Sequence, residues 1–194
     1  MSHHSMLAAL LALCAVGCAR PPAPAPEPVR TVAVFPANNQ TGDPLLIAGA
    51  SFLEKYLLST ESYTVPDALT VEASAELVRH GFDVVPAQVV NAATVGQTPP
   101  SAEQAAAVAA RHQIGGAVLY IDIRRWEADA GFHPTFIIAS VTLTLVDVSS
   151  GRVLWTANHP SRPVPTPGVV VLGDAYSVAA HTLMADMLAP LSHD

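Results

Sequence analysis

Cysteine is nearly absent: Cys14 and Cys18 are the only two in the 194-residue chain, and both lie near its start. No disulfide framework can form downstream of them, so the folded part must rest on its apolar core. Basic residues are also scarce, nine Lys and Arg against sixteen Asp and Glu, for a net charge of −7. They form no cluster, which argues against nucleic acid as a partner and against a purely electrostatic grip on anionic lipid. The apolar run at the start, Met6–Val16, is 11 residues, short of the roughly 20 that a membrane-spanning helix needs.

Motifs of chemistry are missing as well. His80, His112, His133, His159, His181 and His193 are scattered, with no His-x-x-x-His or His-Glu-x-x-His spacing. Ser140, Ser149 and Ser177 lack a Gly-x-Ser-x-Gly elbow. The turn-rich Asn38–Pro44 has one glycine and no phosphate-binding pattern, so it reads as a plain loop. Asp122, Glu127 and Asp129 gather near one strand end and could hold a cation, but Arg124 and Arg125 beside them favour a solvated rim. No catalytic, cofactor-binding or metal-binding residue is assigned.

What is present begins with Met6–Cys18, MLAALLALCAVGC. Its length suits a signal h-region of about 7–15 residues. Ala15-Val16-Gly17 then offers small residues before Cys18, an arrangement resembling a lipobox with Ala15 where Leu is usual. Bulky Leu13 makes Cys14 the poorer candidate, and the n-region Met1–Ser5 carries no Lys or Arg. The expectation is a bacterial lipoprotein signal over residues 1–17, with Cys18 acylated as the first mature residue. The alternatives are an ordinary secretory signal cut nearby or a start placed at the wrong codon. Ala19, rather than Asp, after the cysteine suits sorting to the outer membrane, facing the periplasm.

Residues 18–28 follow as a tether. Arg20–Pro28 has five prolines in nine residues, which favours polyproline II and a stand-off of roughly 30 Å. A proline-rich ligand for a groove-binding module is the rival reading. Removing residues 1–17 leaves 177, enough to bury a sizeable core, and residues 29–194 are expected to form a single domain.

Within that domain, Val29–Phe35 reads as a buried strand stopped by Pro36, and Leu45–Tyr63 as a short helix or hairpin. Asp67–His80 reads as a helix capped by Asp67 and closed by Gly81, and Phe82–Val85 as a strand ended by Pro86. Ser101–His112, rich in alanine, is a second helix that can pack closely on a sheet. Ala117–Trp126, Phe136–Val148 and Arg152–Asn158 are expected as an antiparallel meander. In the middle strand Val141, Leu143 and Leu145 alternate with Ser140, Thr142 and Thr144, one face dry and one wet. The Asp147–Gly151 turn should use a positive φ at Gly151 and the Asp147 carboxylate to bind loop amides, with Val153 and Trp155 pointing to one side beyond it. His159–Pro167 is too proline-rich for a helix and should cross the surface. A last helix from Gly173 to about Leu188 carries Tyr176, Ala180, Leu183 and Met187 on one stripe, read as a core-facing stripe.

The segments LVDVSSGRVLW and VAVFPANNQTGD resemble those of envelope lipoproteins built on the α/β fold of the TolB amino-terminal domain. That group includes the curli secretion lipoprotein, the lipoprotein activator of penicillin-binding proteins, and small lipoproteins without an assigned role. The resemblance spans about Val29 to Asn158 plus the last helix. It implies an α/β fold, a mixed sheet with an antiparallel meander and helices packed on it, in an envelope setting. It carries over no catalytic residues. The chain departs from the group at Leu45–Tyr63, which speaks against the pore of the curli lipoprotein. The expected function is a non-catalytic membrane-anchored lipoprotein, held by acyl chains on Cys18, that binds or helps assemble another envelope component. The competing expectations are a periplasmic hydrolase whose site is assembled by the fold, and a curli-type secretion subunit. Cavities lined by convergent titratable groups would mark the enzyme.

Overall fold

The computed structural model describes residues 29–47 and 63–191. Cys18, the tether, and most of Leu45–Tyr63 lie outside those residues.

Six strands form one mixed sheet: β1 (Thr31–Val34), β2 (Asn38–Asn39), β3 (Asp83–Val84), β4 (Ala117–Ala128), β5 (Phe136–Asp147) and β6 (Val153–Pro165). Their order is β3-β1-β4-β5-β6, with β2 paired to β4 beyond the end of β1. β1, β2, β3 and β4 run parallel, whereas β4, β5 and β6 form the expected antiparallel meander. Among the described residues four α-helices pack on it: α1 (Val65–Arg79), α2 (Ala87–Thr94), α3 (Ala102–Arg111) and α4 (Leu172–Leu188).

The sequence dictates which helix covers which face. β4 sits at the centre and is apolar on both sides, the mark of a strand sandwiched between layers. Its Leu119, Ile121 and Ile123 join Leu69 and Leu77 of α1 and Leu183, Met184 and Leu188 of α4 in the larger core. Its Val118 and Tyr120 join Ala33, Phe35, Val90 of α2 and Ala105 and Ala109 of α3 in the smaller one. The small alanines of α3 let that helix lie close to the sheet. β5 alternates as its residues require: Val141 and Leu143 are fully buried, and Ser140, Thr142 and Thr144 are half-buried on the other face.

The helix ends follow local chemistry. Thr64, not Asp67, caps α1; Asp67 is the third helical residue, and its carboxylate accepts from the Thr64 backbone N–H at 2.9 Å. The two form a capping box, a start signal that lies three residues upstream of the expected cap. Gly81 takes φ +83°, and the Phe82 N–H donates to the Leu77 carbonyl, closing α1 as expected. Ser101 caps α3 by accepting from the Gln104 N–H. α2 follows Pro86 with no side-chain cap, and nothing in its sequence beyond Pro86 announces it.

Two expectations for the meander need correction. His159–Pro165 does not leave the sheet; it continues β6, pairing Val164 with Ile137 and Pro163 with Ile138. Proline is tolerated there because β6 is an edge strand with one side of its ladder unused. Val153 and Trp155 face opposite sides, because the register shifts between Leu145↔Trp155 and Val146↔Val153 and leaves Leu154 as an extra residue. Asn38–Asn39, read as plain loop, extends far enough to pair with Asp122–Ile123.

Candidate functional site

The first place to look is the edge where the parallel strands end. α1 leaves β1 on one face of the sheet, and α2 and α3 return to β4 on the other, so the connections diverge beyond β1; ligands of open α/β sheets sit at such points. A cavity of about 670 Å³ lies there, lined by Asn38, Asn39, Thr64, Asp67, Asn91 and Thr98 among others. Its polar groups are mostly committed. Asn38 Nδ2 donates to Asp122 Oδ1 at 3.0 Å. Asn39 Oδ1 accepts from the Thr41 N–H and hydroxyl, and its Nδ2 donates to the Asp43 carbonyl. Asp67 serves the capping box, so the helix end that could attract an anion already has its own. Among the described lining residues Asp67 is the only charged side chain.

A second cavity of about 470 Å³, between α2 and α3, is lined by Val95, Pro99, Pro100, Val108, Arg111 and His112 among others. It holds one fixed cation and one histidine with the Thr94 and Thr98 hydroxyls and no carboxylate among its lining residues. Neither cavity gathers convergent acid and base groups.

The three carboxylates near the end of β4 do not come together. Asp122 is buried and paired with Arg124 at 3.2 Å; Glu127 is exposed and paired with Arg125 at 2.6 Å. Asp129 accepts from the Thr135 N–H and hydroxyl, and these hydrogen bonds hold its carboxyl below the usual range. Among the described residues no three His, Cys, Asp or Glu side chains are placed to share a metal. The bulge at Arg124 leaves Asp122 and Glu127 on one face, opposite Thr142 and Ile138, but four residues of β5 separate them and each has its own arginine.

Tyr120 is the most perturbed titratable group near either cavity. Burial, helped by the Asp122 charge, pushes its phenol up to about 12, with Asn38 opposing. It therefore stays protonated at neutral pH and cannot serve as a base there. Two histidines have carboxylate partners: His80, at the end of α1, lies 3.2 Å from Glu76, and His181 of α4 lies 2.8 Å from Glu72 of α1.

The open apolar surface is elsewhere. The β4–β5 connection carries Phe132 at 86% exposed, and Val170 and Val171, at 55% and 40%, lie against it through a Phe132↔Val171 bridge. The His133 N–H donates to the Val170 carbonyl at 3.2 Å, fixing the two loops together. β1 starts beside Ala117, and the connection follows Ala128, so the trio sits roughly 36 Å along the strands from the start of β1. Sequence reading placed Asp129–Gly131 in a loop but had no signal for this patch, because it forms only when two distant loops meet.

No protein-family profile matches the sequence, and no curated protein matches it. Solved structures do. PelC from Paraburkholderia phytofirmans, a dodecamer, is 24% identical and superimposes with TM-score 0.52 over 84% of this chain and 88% of its own. The hypothetical protein CT253 from Chlamydia trachomatis is 13% identical, TM-score 0.51, over 84% and 95%. Lipoprotein GNA1162 from Neisseria meningitidis is 22% identical, TM-score 0.45, over 66% and 79%. At these identities the likeness is one of fold: the α/β fold expected from the sequence is the fold of the molecule, and it is shared with proteins of this group.

Proposed function

We propose that the protein is a lipid-anchored, non-catalytic component of the bacterial cell envelope that holds or helps assemble another envelope component. Cys18 carries the acyl chains, residues 18–28 act as the spacer, and residues 29–194 form the domain that meets the partner. The outer membrane, facing the periplasm, is the proposed address, on the strength of Ala19.

The observation that carries the reading is the combination at the two ends of the domain. A small-residue cleavage motif and a proline spacer precede one end; Phe132, Val170 and Val171 stand exposed at the other. Single exposed apolar residues are ordinary, but three held together on fixed loops suit a contact site. The two cavities do not bring an acid and a histidine together: Asp67 lines one and His112 the other. No helix among the described residues is long and apolar enough to cross a membrane.

The test is crosslinking in native envelopes with a photoreactive side chain at position 132, and at exposed Val89 as the control. A defined adduct from position 132 alone supports the reading. Equal adducts from both positions, or none, contradict it.

A further inference from the structure

We infer that β6 pairs edge to edge with β6 of a second copy of this chain, through the regular run Trp155–His159 in antiparallel register about Thr156. β6 ends the sheet and is 13 residues long, and among the described residues no strand lies on its outer side. An open edge of that length is a template for pairing, and native chains blunt it with proline, charge or cover. Here the blunting stops halfway. Pro160, Pro163 and Pro165 remove donors from one half, and Arg162 adds a charge. Between those prolines and the bulge at Leu154, Trp155-Thr156-Ala157-Asn158-His159 has no proline and no Asp, Glu, Lys or Arg. It offers a regular ladder of about 17 Å that includes the strand-favouring Trp155 and Thr156.

The segment is complementary to itself. Placed antiparallel about Thr156, it sets Trp155 opposite the partner's Ala157, and Ala157 opposite the partner's Trp155. Those large-with-small contacts fall on the face where both residues are half-buried against the core, so a second copy would complete their cover. Thr156, exposed on the other face, meets its own counterpart and extends the row that Thr144↔Thr156 begins within one chain. A contact of this kind is isologous and closes at two copies. Its axis runs perpendicular to the sheet, so two chains in one membrane lie with their sheets along it, tethers leaving at opposite ends. The inference stands apart from the identity of any envelope partner.

The test uses the full chain in native envelopes at its own expression level. Thr156→Cys sits on the two-fold axis, where opposed residues approach within the range a disulfide spans. Asn158→Cys is the control: its own counterpart lies roughly 13 Å along the ladder. Mild oxidation is expected to give a covalent homodimer from Thr156→Cys and none from Asn158→Cys. Thr156→Lys, an exposed change that places like charges face to face, should abolish chemical crosslinking of the otherwise unaltered chain. Equal dimer from both cysteine variants indicates random collision and overturns the inference. So does the absence of dimer from Thr156→Cys, or a disulfide to a different protein.

Discussion

Gly116 and Gly151 both take positive φ, +81° and +66°, yet they answer different needs. A Cβ on Gly116 would stand 2.2 Å from the Thr31 carbonyl oxygen, because β1 and β4 converge there; a Cβ on Gly151 would meet nothing within 4 Å. Gly116→Ala is therefore expected to destabilise by about 3 kcal/mol or more, from backbone strain plus forced separation of two strands. Gly151→Val should cost about 1–2 kcal/mol from strain alone. Chemical denaturation of the two variants orders them, and a larger loss at Gly151 would contradict the packing. Beside it, Ser150 is more than filler: its hydroxyl donates to Asp147 Oδ1 at 2.6 Å and accepts from the Arg152 N–H at 3.3 Å. His159 gives the pH dependence. Burial, with the Arg162 charge, holds its imidazole below the usual value, opposed by the Arg162 backbone and by Asp186. The unfolded chain then binds the proton more readily, so stability is full above about pH 6.5 and falls as pH drops below it. His159→Gln should flatten that fall in unfolding curves measured between pH 7 and 5; an unchanged slope would contradict it.

At the level of elements, the sequence announced what local chemistry controls. The alternation of Val141, Leu143 and Leu145 fixed β5, and Gly81 and Ser101 marked helix ends that the structure keeps. What it concealed depends on neighbours. The prolines of His159–Pro165 forbid a helix but not an edge strand, and only the sheet reveals that β6 is an edge. The extra residue at Leu154 that turns Val153 away from Trp155 is set by register across two strands, not by either strand alone. α4 was legible from its stripe: Ala180, Leu183 and Met187 are buried, and Tyr176 is half-buried against Trp126 with ring centroids 6.3 Å apart. Leu183→Ala is accordingly expected to cost about 2–5 kcal/mol, whereas Thr64→Ala, which removes only the α1 cap, should cost about 1 kcal/mol. Thermal unfolding of the two separates core from cap.

On the scale of the whole molecule, sequence and structure divide the evidence. The apolar run Met6–Val16, the small residues before Cys18 and the prolines of Arg20–Pro28, from which the signal and spacer are proposed, are written in consecutive residues and could be read directly. The surface proposed to meet a partner could not, because Phe132 and Val170 and Val171 lie nearly forty positions apart and become one patch only through the Phe132↔Val171 bridge. In the cavity beside β1, polar groups satisfy one another, as Asn38 with Asp122 and Thr64 with Asp67 do. If the acyl chains on Cys18 are the only hold on the membrane, Cys18→Ala moves the domain into the soluble fraction without altering its unfolding curve. The most direct measurement is the intact mass of the protein recovered from native membranes. A chain beginning at Cys18 and heavier by a diacylglyceryl group and an amide-linked acyl chain is the predicted result; an unmodified amino terminus at any other residue would contradict it.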